Sequence, residues 1–112
     1  MKIDVRKSDD VVIVDFKGRM AVGVGDEVLP SVITELLDEN YKKILLNLSE
    51  VDYIDSNGLG ELVASFRNAQ KRGAALKLLR PQDRVRKTLH LSRLLPLFEV
   101  HETELEALAS FV

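Results

Sequence analysis

Two kinds of apolar pattern alternate along this chain, and that alternation limits the possible folds more than any other feature of the sequence. Residues 43–48 (KILLNL) and 75–79 (ALKLL) are nearly continuous apolar runs, typical of strands covered on both faces of a sheet. Each run is followed by a segment with apolar residues every three or four positions, the spacing of an amphipathic helix. Strands that alternate with helices form a largely parallel sheet through right-handed crossovers. The sequence therefore predicts an α/β fold.

The beginning of the chain has a different pattern, that of a hairpin. Ile3 and Val5 alternate with polar neighbours, and residues 8–10 (SDD) indicate a tight turn. Residues 11–16 form a second, mostly apolar run, which Gly18 is expected to close. The sequence therefore predicts two paired strands before the first helix.

Two amphipathic helices are predicted in the middle of the chain. After a loop of small residues at 21–25, the first helix is expected to begin between Asp26 and Pro30, because proline is tolerated only in the first turn. Its apolar stripe comprises Val28, Leu29, Val32, Ile33, Leu36 and Leu37. The stripe of the second helix, which Gly73 ends, comprises Leu59, Leu62, Val63, Phe66 and Ala69.

The last third of the chain completes the alternation. A third helical segment begins at Pro81 and is broken by Pro96. Residues 98–100 are expected to form a short edge strand, and residues 102–111 a last helix. The inward-facing residues of these two helices are predicted to be Val85, Leu89, Leu105, Leu108 and Ala109. The predicted order is β-β-α-β-α-β-α-β-α, a mixed, mostly parallel sheet packed with about four helices.

Size and composition restrict the class of protein. With 112 residues, 46% hydrophobic and 30% charged, the chain fits one globular domain over residues 1–112. A net charge of −2 gives no general attraction to nucleic acid or membrane surfaces. No apolar run approaches the roughly 18 residues of a membrane span, the first ten residues lack the apolar core of a signal peptide, and cysteine is absent. We therefore expect a cytoplasmic protein that binds neither nucleic acid nor membranes directly.

The sequence gives almost no support for an enzyme. It contains no G-x-x-x-x-G-K-[ST] phosphate loop, no nucleophile elbow and no metal-ligand spacing. His90 and His101 fall on different predicted elements, and we interpret both as surface or packing residues. We expect no catalytic residue, no metal and no cofactor.

Basic residues are concentrated in residues 71–93, where the only acidic residue is Asp83. The basic positions are Lys71, Arg72, Lys77, Arg80, Arg84, Arg86, Lys87 and Arg93. They are spread over three predicted elements, without interleaved aromatic residues for base stacking. A solvated surface is the favoured interpretation, and a contact for an acidic partner protein is the alternative.

The second helix begins at an unusual polar segment, residues 54–63 (IDSNGLGELV). With Asp55 as the N-cap, its carboxylate accepts a hydrogen bond from a backbone N–H of the first turn. Ile54 and Leu59 then occupy the two positions of a hydrophobic staple. Ser56 becomes the first helical residue, with its hydroxyl facing solvent at the carboxyl end of a parallel strand, where such sheets place their functional crevices.

Gly58 and Gly60 in this segment have two interpretations. Glycine costs a helix about 1 kcal/mol relative to alanine, but it leaves the backbone bare for the approach of a partner. We favour this interpretation, because a cap needs one polar residue and the chain supplies an Asp-Ser-Asn triplet. In the alternative, Asp55 and Ser56 only cap the helix and the glycines fill a tight strand-to-helix turn.

Residues 47–60 read N-L-x-x-V-x-x-I-D-S-x-G-L-G, and together with the order of elements this segment resembles the STAS domain, the fold of bacterial anti-sigma factor antagonists. The similarity covers essentially the whole chain, and D-S-x-G-L-G is its specific part. The resemblance implies that Ser56 is the phosphoacceptor of a partner switch. The unphosphorylated protein would bind an anti-sigma factor that is also a serine kinase, which frees a sigma factor for transcription. The kinase would use ATP to phosphorylate the serine and dissociate, and a metal-dependent serine phosphatase would reset the switch.

The resemblance also implies a partner surface around the phosphoacceptor. We expect this surface to comprise Asp55, Ser56, Asn57, Gly58, Leu59, Gly25 and Asp26. Family members often carry an acidic residue there, in a G-x-[LI]-D pattern after the second strand, whereas here Ala21 occupies that position. This departure bears on which kinase recognises the chain. Asn57 replaces a frequent second serine, so Ser56 is the only hydroxyl of the turn.

Two other roles are compatible with the resemblance. One is a scaffold subunit of a stress-sensing assembly built from STAS domains. The other is a small-ligand or nucleotide-binding domain, or an accessory subunit of a membrane transport system. A neighbouring gene for a serine kinase or a sigma factor would favour the antagonist, for which we expect a monomer or weak dimer, and a neighbouring transporter operon would favour the last role.

Overall fold

The computed structural model describes residues 2–21 and 28–111. Its first two strands, β1 (Lys2–Ser8) and β2 (Val11–Met20), form the predicted antiparallel hairpin. Asp9, in the turn between them, has a φ of 53°, a left-handed conformation that aspartate tolerates in tight turns. The predicted partner residues Gly25 and Asp26, and the predicted beginning of the first helix, fall in residues 22–27 and lie outside the described residues.

Three further strands complete a five-stranded sheet: β3 (Lys43–Ile54), β4 (Ala75–Leu79) and β5 (Val100–His101). The strands lie in the order β1-β2-β3-β4-β5, and each neighbouring pair except β1 and β2 is parallel. The predicted mixed, mostly parallel sheet is therefore confirmed. Met20 and Ile54 are register partners, so β2 and β3 end side by side.

The helices cover the sheet on both faces. The helices α1 (Val28–Asp38), α2 (Ser56–Lys71) and α3 (Asp83–Leu91) pack in one apolar cluster with the inward residues of β2, β3 and β4. The helix α4 (Glu104–Ser110) packs on the opposite face, where it closes a second, smaller cluster. Pro96 lies in a short 3₁₀ helix after α3, in agreement with the predicted break.

Two strands extend further than the sequence predicted. β2 continues past Gly18, which has a φ of 114° at an irregularity in the pairing with β3. Glycine adopts this conformation without steric cost, so the strand bends there instead of ending. β3 continues to Ile54. Its second half has polar residues at alternate positions because it pairs with β2 on one side only, whereas residues 43–47 also pair with β4. The last strand is also shifted along the chain, from the predicted residues 98–100 to Val100–His101.

The apolar stripes of α2 and α3 face the core as predicted, but those of α1 and α4 do so only in part. The exposed exceptions are Val28, Leu105 and Ala109. In α4 the buried residue is instead Ala107, and Phe111, directly after the helix, is buried as well. The Thr103 hydroxyl caps this helix by accepting the N–H of Glu106 at 3.2 Å. Ala107 and Phe111, four positions apart, pack together against the sheet.

Ser65 is the one buried polar residue in the described core, at 2% exposure, and its hydroxyl has no hydrogen-bond partner there. A buried hydroxyl without a partner costs about 1–3 kcal/mol. We therefore expect Ser65→Ala to raise the free energy of unfolding by about 1 kcal/mol, measured by urea denaturation. Ser31→Ala, at an exposed position of α1, is the control and should stay within about 0.5 kcal/mol of wild type. A destabilised Ser65→Ala variant would contradict the expectation.

A cluster of charges joins β1, β2 and α4 on the face of the sheet that α4 covers. The Arg6 guanidinium donates to both carboxylate oxygens of Asp15, at 2.6 and 3.2 Å, and to the carboxylate of Glu104. The Asn47 side chain donates to Asp15 at 2.7 Å. The hydrogen bonds from Arg6 hold the pKa of both carboxyl groups below their usual values. The cluster thus fastens α4 to the hairpin.

This cluster predicts an acid-dependent loss of stability. A carboxyl group whose pKa is lower in the folded than in the unfolded state stabilises the fold above the unfolded value, about 4, and loses that contribution as the pH falls through the folded value. We expect the free energy of unfolding to decrease below about pH 4, and to decrease less steeply in Arg6→Met. Denaturation curves recorded from pH 7 to pH 2 compare the two slopes. Equal slopes would show that Arg6 does not set the pKa of Asp15 and Glu104.

Candidate functional site

Asp55 joins β3 to α2 and determines how the helix begins. Its backbone N–H donates to the carbonyl of Met20 at 3.1 Å, which ties this residue to the end of β2. Its carboxylate accepts the N–H of Gly58 at 2.9 Å, and its backbone is extended, with φ −104° and ψ −174°. The predicted N-cap is therefore confirmed. The beginning of α2 is thereby fixed to two parallel strands at their carboxyl ends.

Ser56 is the first residue of α2, as the sequence predicted. Its side chain is exposed, and within the described residues its hydroxyl makes no hydrogen bond. Ile54 and Leu59, on either side, are 3% and 7% exposed and lie in the same core cluster, as the predicted staple requires. The backbone around Ser56 is thus held by its neighbours, and its hydroxyl faces solvent.

Gly58 does not have the role that we favoured from the sequence. The residue is buried, and a Cβ atom on it would lie 2.3 Å from the carbonyl oxygen of Met20 and 3.0 Å from Cγ1 of Ile54. No L-amino acid with a side chain fits at that distance from a backbone atom. The close approach that requires glycine is therefore between α2 and β2 of the same chain, which is the alternative interpretation. Leu59 is likewise turned into the core, at 7% exposure.

Gly60 differs from Gly58 because it is exposed, and a Cβ atom on it would meet nothing within 4 Å. It lies on the rim of a groove of about 900 Å³ between α1 and α2. Helix α2 contributes Ser56, Asn57, Gly60, Glu61 and Ala64 to the groove. Helix α1 contributes Pro30, Ser31, Thr34, Glu35 and Asp38. Of the predicted site residues, Ser56 and Asn57 therefore share one solvent-filled surface.

The contribution of α1 to this groove was missed by the sequence analysis. The signal was present in the polar side of the α1 pattern, where Ser31, Glu35 and Asp38 recur at helical spacing. It could not be used, because the sequence does not show that this side of α1 faces α2. Two contacts bring the helices together: Asn68 donates to Thr34 at 3.4 Å, and Arg72 pairs with Asp38 at 2.8 Å.

Apart from Arg72 beside Asp38, the basic residues of 71–93 lie outside the groove, and several are paired within the chain. Arg72 pairs with Asp38, Lys77 with Glu99 at 2.8 Å, and Arg86 with Glu102. His101 also contacts Glu99, at 2.6 Å, whereas His90 is exposed on α3. Internal ion pairs account for these three cations, which agrees with the favoured interpretation as an ordinary surface.

The family model described as the STAS domain matches residues 2–107 of this sequence. The chain belongs to the STAS domain family. The similarity seen in residues 47–60 is thereby confirmed over nearly the whole chain. In the described part of this STAS domain, no helix combines the length and the apolar character needed to cross a membrane.

Several relatives of this STAS domain are named as anti-sigma factor antagonists. It is 32% identical over 79 residues to an anti-sigma-B factor antagonist of Staphylococcus aureus, a match that covers 70% of this chain and 73% of that protein. A crystal structure from Thermotoga maritima, described as an anti-sigma factor antagonist, matches with a TM-score of 0.87 at 29% identity, covering 96% of this chain and 92% of that one. The phosphorylated form of Bacillus SpoIIAA matches with a TM-score of 0.72 at 20% identity, covering 96% and 97%, which shows the fold alone.

Proposed function

We propose that this STAS domain is a cytoplasmic anti-sigma factor antagonist, a binding protein and kinase substrate rather than an enzyme. In this proposal it binds an anti-sigma factor with serine kinase activity, and phosphorylation of Ser56 ends the binding. A serine phosphatase restores the unphosphorylated form. The names of its relatives support the first part. The position of Ser56 supports the second.

The observation that carries the proposal is the division of roles between Asp55 and Ser56. Asp55 caps α2 by accepting the N–H of Gly58, so the Ser56 hydroxyl is not needed to begin the helix. It is exposed at the first position of α2, beside the groove between α1 and α2. A hydroxyl in this position can be presented to another protein without any change in the fold.

The same position suits a phosphoserine. A phosphate adds about −1.5 to −2 charges at neutral pH, and the N-terminus of a helix stabilises negative charge through its dipole. The 16-residue α2 provides such an N-terminus. Phosphorylation should therefore leave the fold intact and act on the partner, through repulsion or the cost of desolvating the added charge at the interface.

Mapping of the phosphorylated residue tests the proposal. We expect the cognate anti-sigma factor kinase and ATP to modify Ser56 stoichiometrically, as detected by mass spectrometry, and Ser56→Ala to abolish labelling. Ser56→Ala should lower the free energy of unfolding by less than about 1 kcal/mol, because this hydroxyl does not cap the helix. Ser31→Ala is the matched control, since Ser31 lines the same groove, and it should be labelled like wild type. Modification at Ser31 or any other hydroxyl in place of Ser56 would overturn the assignment.

A further inference from the structure

The groove between α1 and α2 has two different ends. One end adjoins Ser56 at the beginning of α2. The other is closed by the hydrogen bond from Asn68 to Thr34 and by the ion pair of Arg72 with Asp38. Glu35 lies one turn before Asp38 on α1, and so belongs to this second end. A partner that covers Ser56 can therefore extend along the groove towards Glu35.

The α2 side of the groove is lined by small residues. Ser56, Gly60 and Ala64 recur every fourth position and so share one face of α2. Ala64 and Ser56 are exposed, and the space above Gly60 is open to at least 4 Å. The depth of the groove results from these short side chains. It leaves room for side chains of another protein between the two helices.

The charged residues that line the groove are acidic. Within the described residues its acidic lining residues are Glu35, Asp38 and Glu61, and its lining includes no lysine or arginine. Arg72 neutralises Asp38. Glu35 is exposed, and within the described residues its carboxylate has no ion-pair partner. A concave surface that presents an exposed carboxylate, and whose one neighbouring described cation is already paired with Asp38, attracts a positively charged partner.

We propose that the groove receives a basic segment of the anti-sigma factor, with a lysine or arginine side chain against Glu35. This inference rests on the proposed function and adds to it the chemistry of the partner surface. Attraction then acts at the Glu35 end of the groove, and the repulsion caused by phosphorylation acts at the Ser56 end. The segment at Glu35 gives the complex affinity and orientation, while Ser56 decides whether the complex persists.

Charge substitutions on the intact domain test this inference. The probe is the anti-sigma factor kinase that phosphorylates wild-type protein, titrated calorimetrically at about 50 mM and about 500 mM salt. At low salt we expect Glu35→Lys to weaken binding about tenfold and Glu35→Gln about threefold, as for loss of a close charge pair at intermediate dielectric. At high salt both losses should shrink, because exposed charges are screened.

Asp4→Lys is the matched control, because it changes the net charge by the same amount at a distant place. Asp4 is exposed and lies two residues before Arg6 on β1, so it faces the α4 side of the sheet, opposite the groove. This variant should bind within twofold of wild type. Urea denaturation of each variant excludes loss of folding as the cause of weaker binding.

The outcomes separate this inference from the proposed function. If wild type binds, phosphorylation of Ser56 releases it, and Glu35→Lys still binds within twofold of wild type, the inference is wrong and the proposed function stands. Equal weakening by Glu35→Lys and Asp4→Lys would also overturn it, because net charge alone would then explain the effect. If the wild-type domain binds no anti-sigma factor, both proposals fall.

Discussion

Replacing Gly58 with alanine is expected to lower the free energy of unfolding by about 3 kcal/mol, the upper range for overpacking a well-packed site. The added Cβ atom would lie 2.3 Å from the carbonyl oxygen of Met20. That oxygen also accepts the N–H of Asp55, so it cannot move away without loss of the contact that positions α2. Urea denaturation measures the effect, and Gly58→Val should be at least as severe.

Gly60→Ala is the internal control for this prediction. Gly60 belongs to the same helix two residues later, but a Cβ atom on it would meet nothing within 4 Å. Only helix propensity should count at this position, so the variant is expected to gain up to about 1 kcal/mol. If both variants changed stability by the same amount, the close contact with β2 would not explain why position 58 requires glycine.

Phosphorylation of Ser56 is expected to weaken binding of the anti-sigma factor by two to three decades, which corresponds to about 3–4 kcal/mol. Ser56→Asp should weaken it about ten- to thirtyfold, because aspartate carries one charge and two acceptor oxygens where phosphoserine carries nearly two charges and three. Wild type should therefore bind most tightly, Ser56→Asp less and the phosphorylated protein least. Calorimetric titration at one salt concentration gives this order, since exposed charges are screened by salt.

Circular dichroism provides the control for the phosphorylation experiment. Because a helix N-terminus tolerates an anion, the spectra of all three forms should coincide. Equal affinity of the three forms would mean that Ser56 lies outside the interface, and the switch would then have to be abandoned. A changed spectrum of the phosphorylated protein would mean that refolding of the domain, and not charge repulsion, releases the anti-sigma factor.

The sequence was sufficient to predict features that depend only on residues close together in the chain. Asp55 could be identified as a cap, and Ser56 as the first helical residue, because both follow from the few residues around them. The strand pattern of 43–48 and 75–79 likewise predicted the parallel part of the sheet, since continuous apolar runs are typical of strands buried on both faces. These predictions need no knowledge of how the elements pack.

Features that depend on distant residues could not be predicted in this way. The sequence shows that Gly58 lacks a side chain, but not that the end of β2 lies against it. It shows a leucine at 105, but the rotation of α4 depends on the cap at Thr103 and on the position of the sheet. The groove results from the distance between α1 and α2, which only the assembled fold determines.

The attachment of α4 has a consequence for how the domain forms during synthesis. Val11, Ile13 and Leu45 come early in the chain, yet on one face of the sheet they are covered by Ala107 and Phe111. Until α4 has been made, a growing chain that has already paired β2 with β3 presents an uncovered apolar surface, which promotes aggregation. The ion pair between Arg6 and Glu104 likewise cannot form until α4 has been made. The apolar face of β2 and β3 is therefore open to chaperones until residues 104–111 are available to cover it.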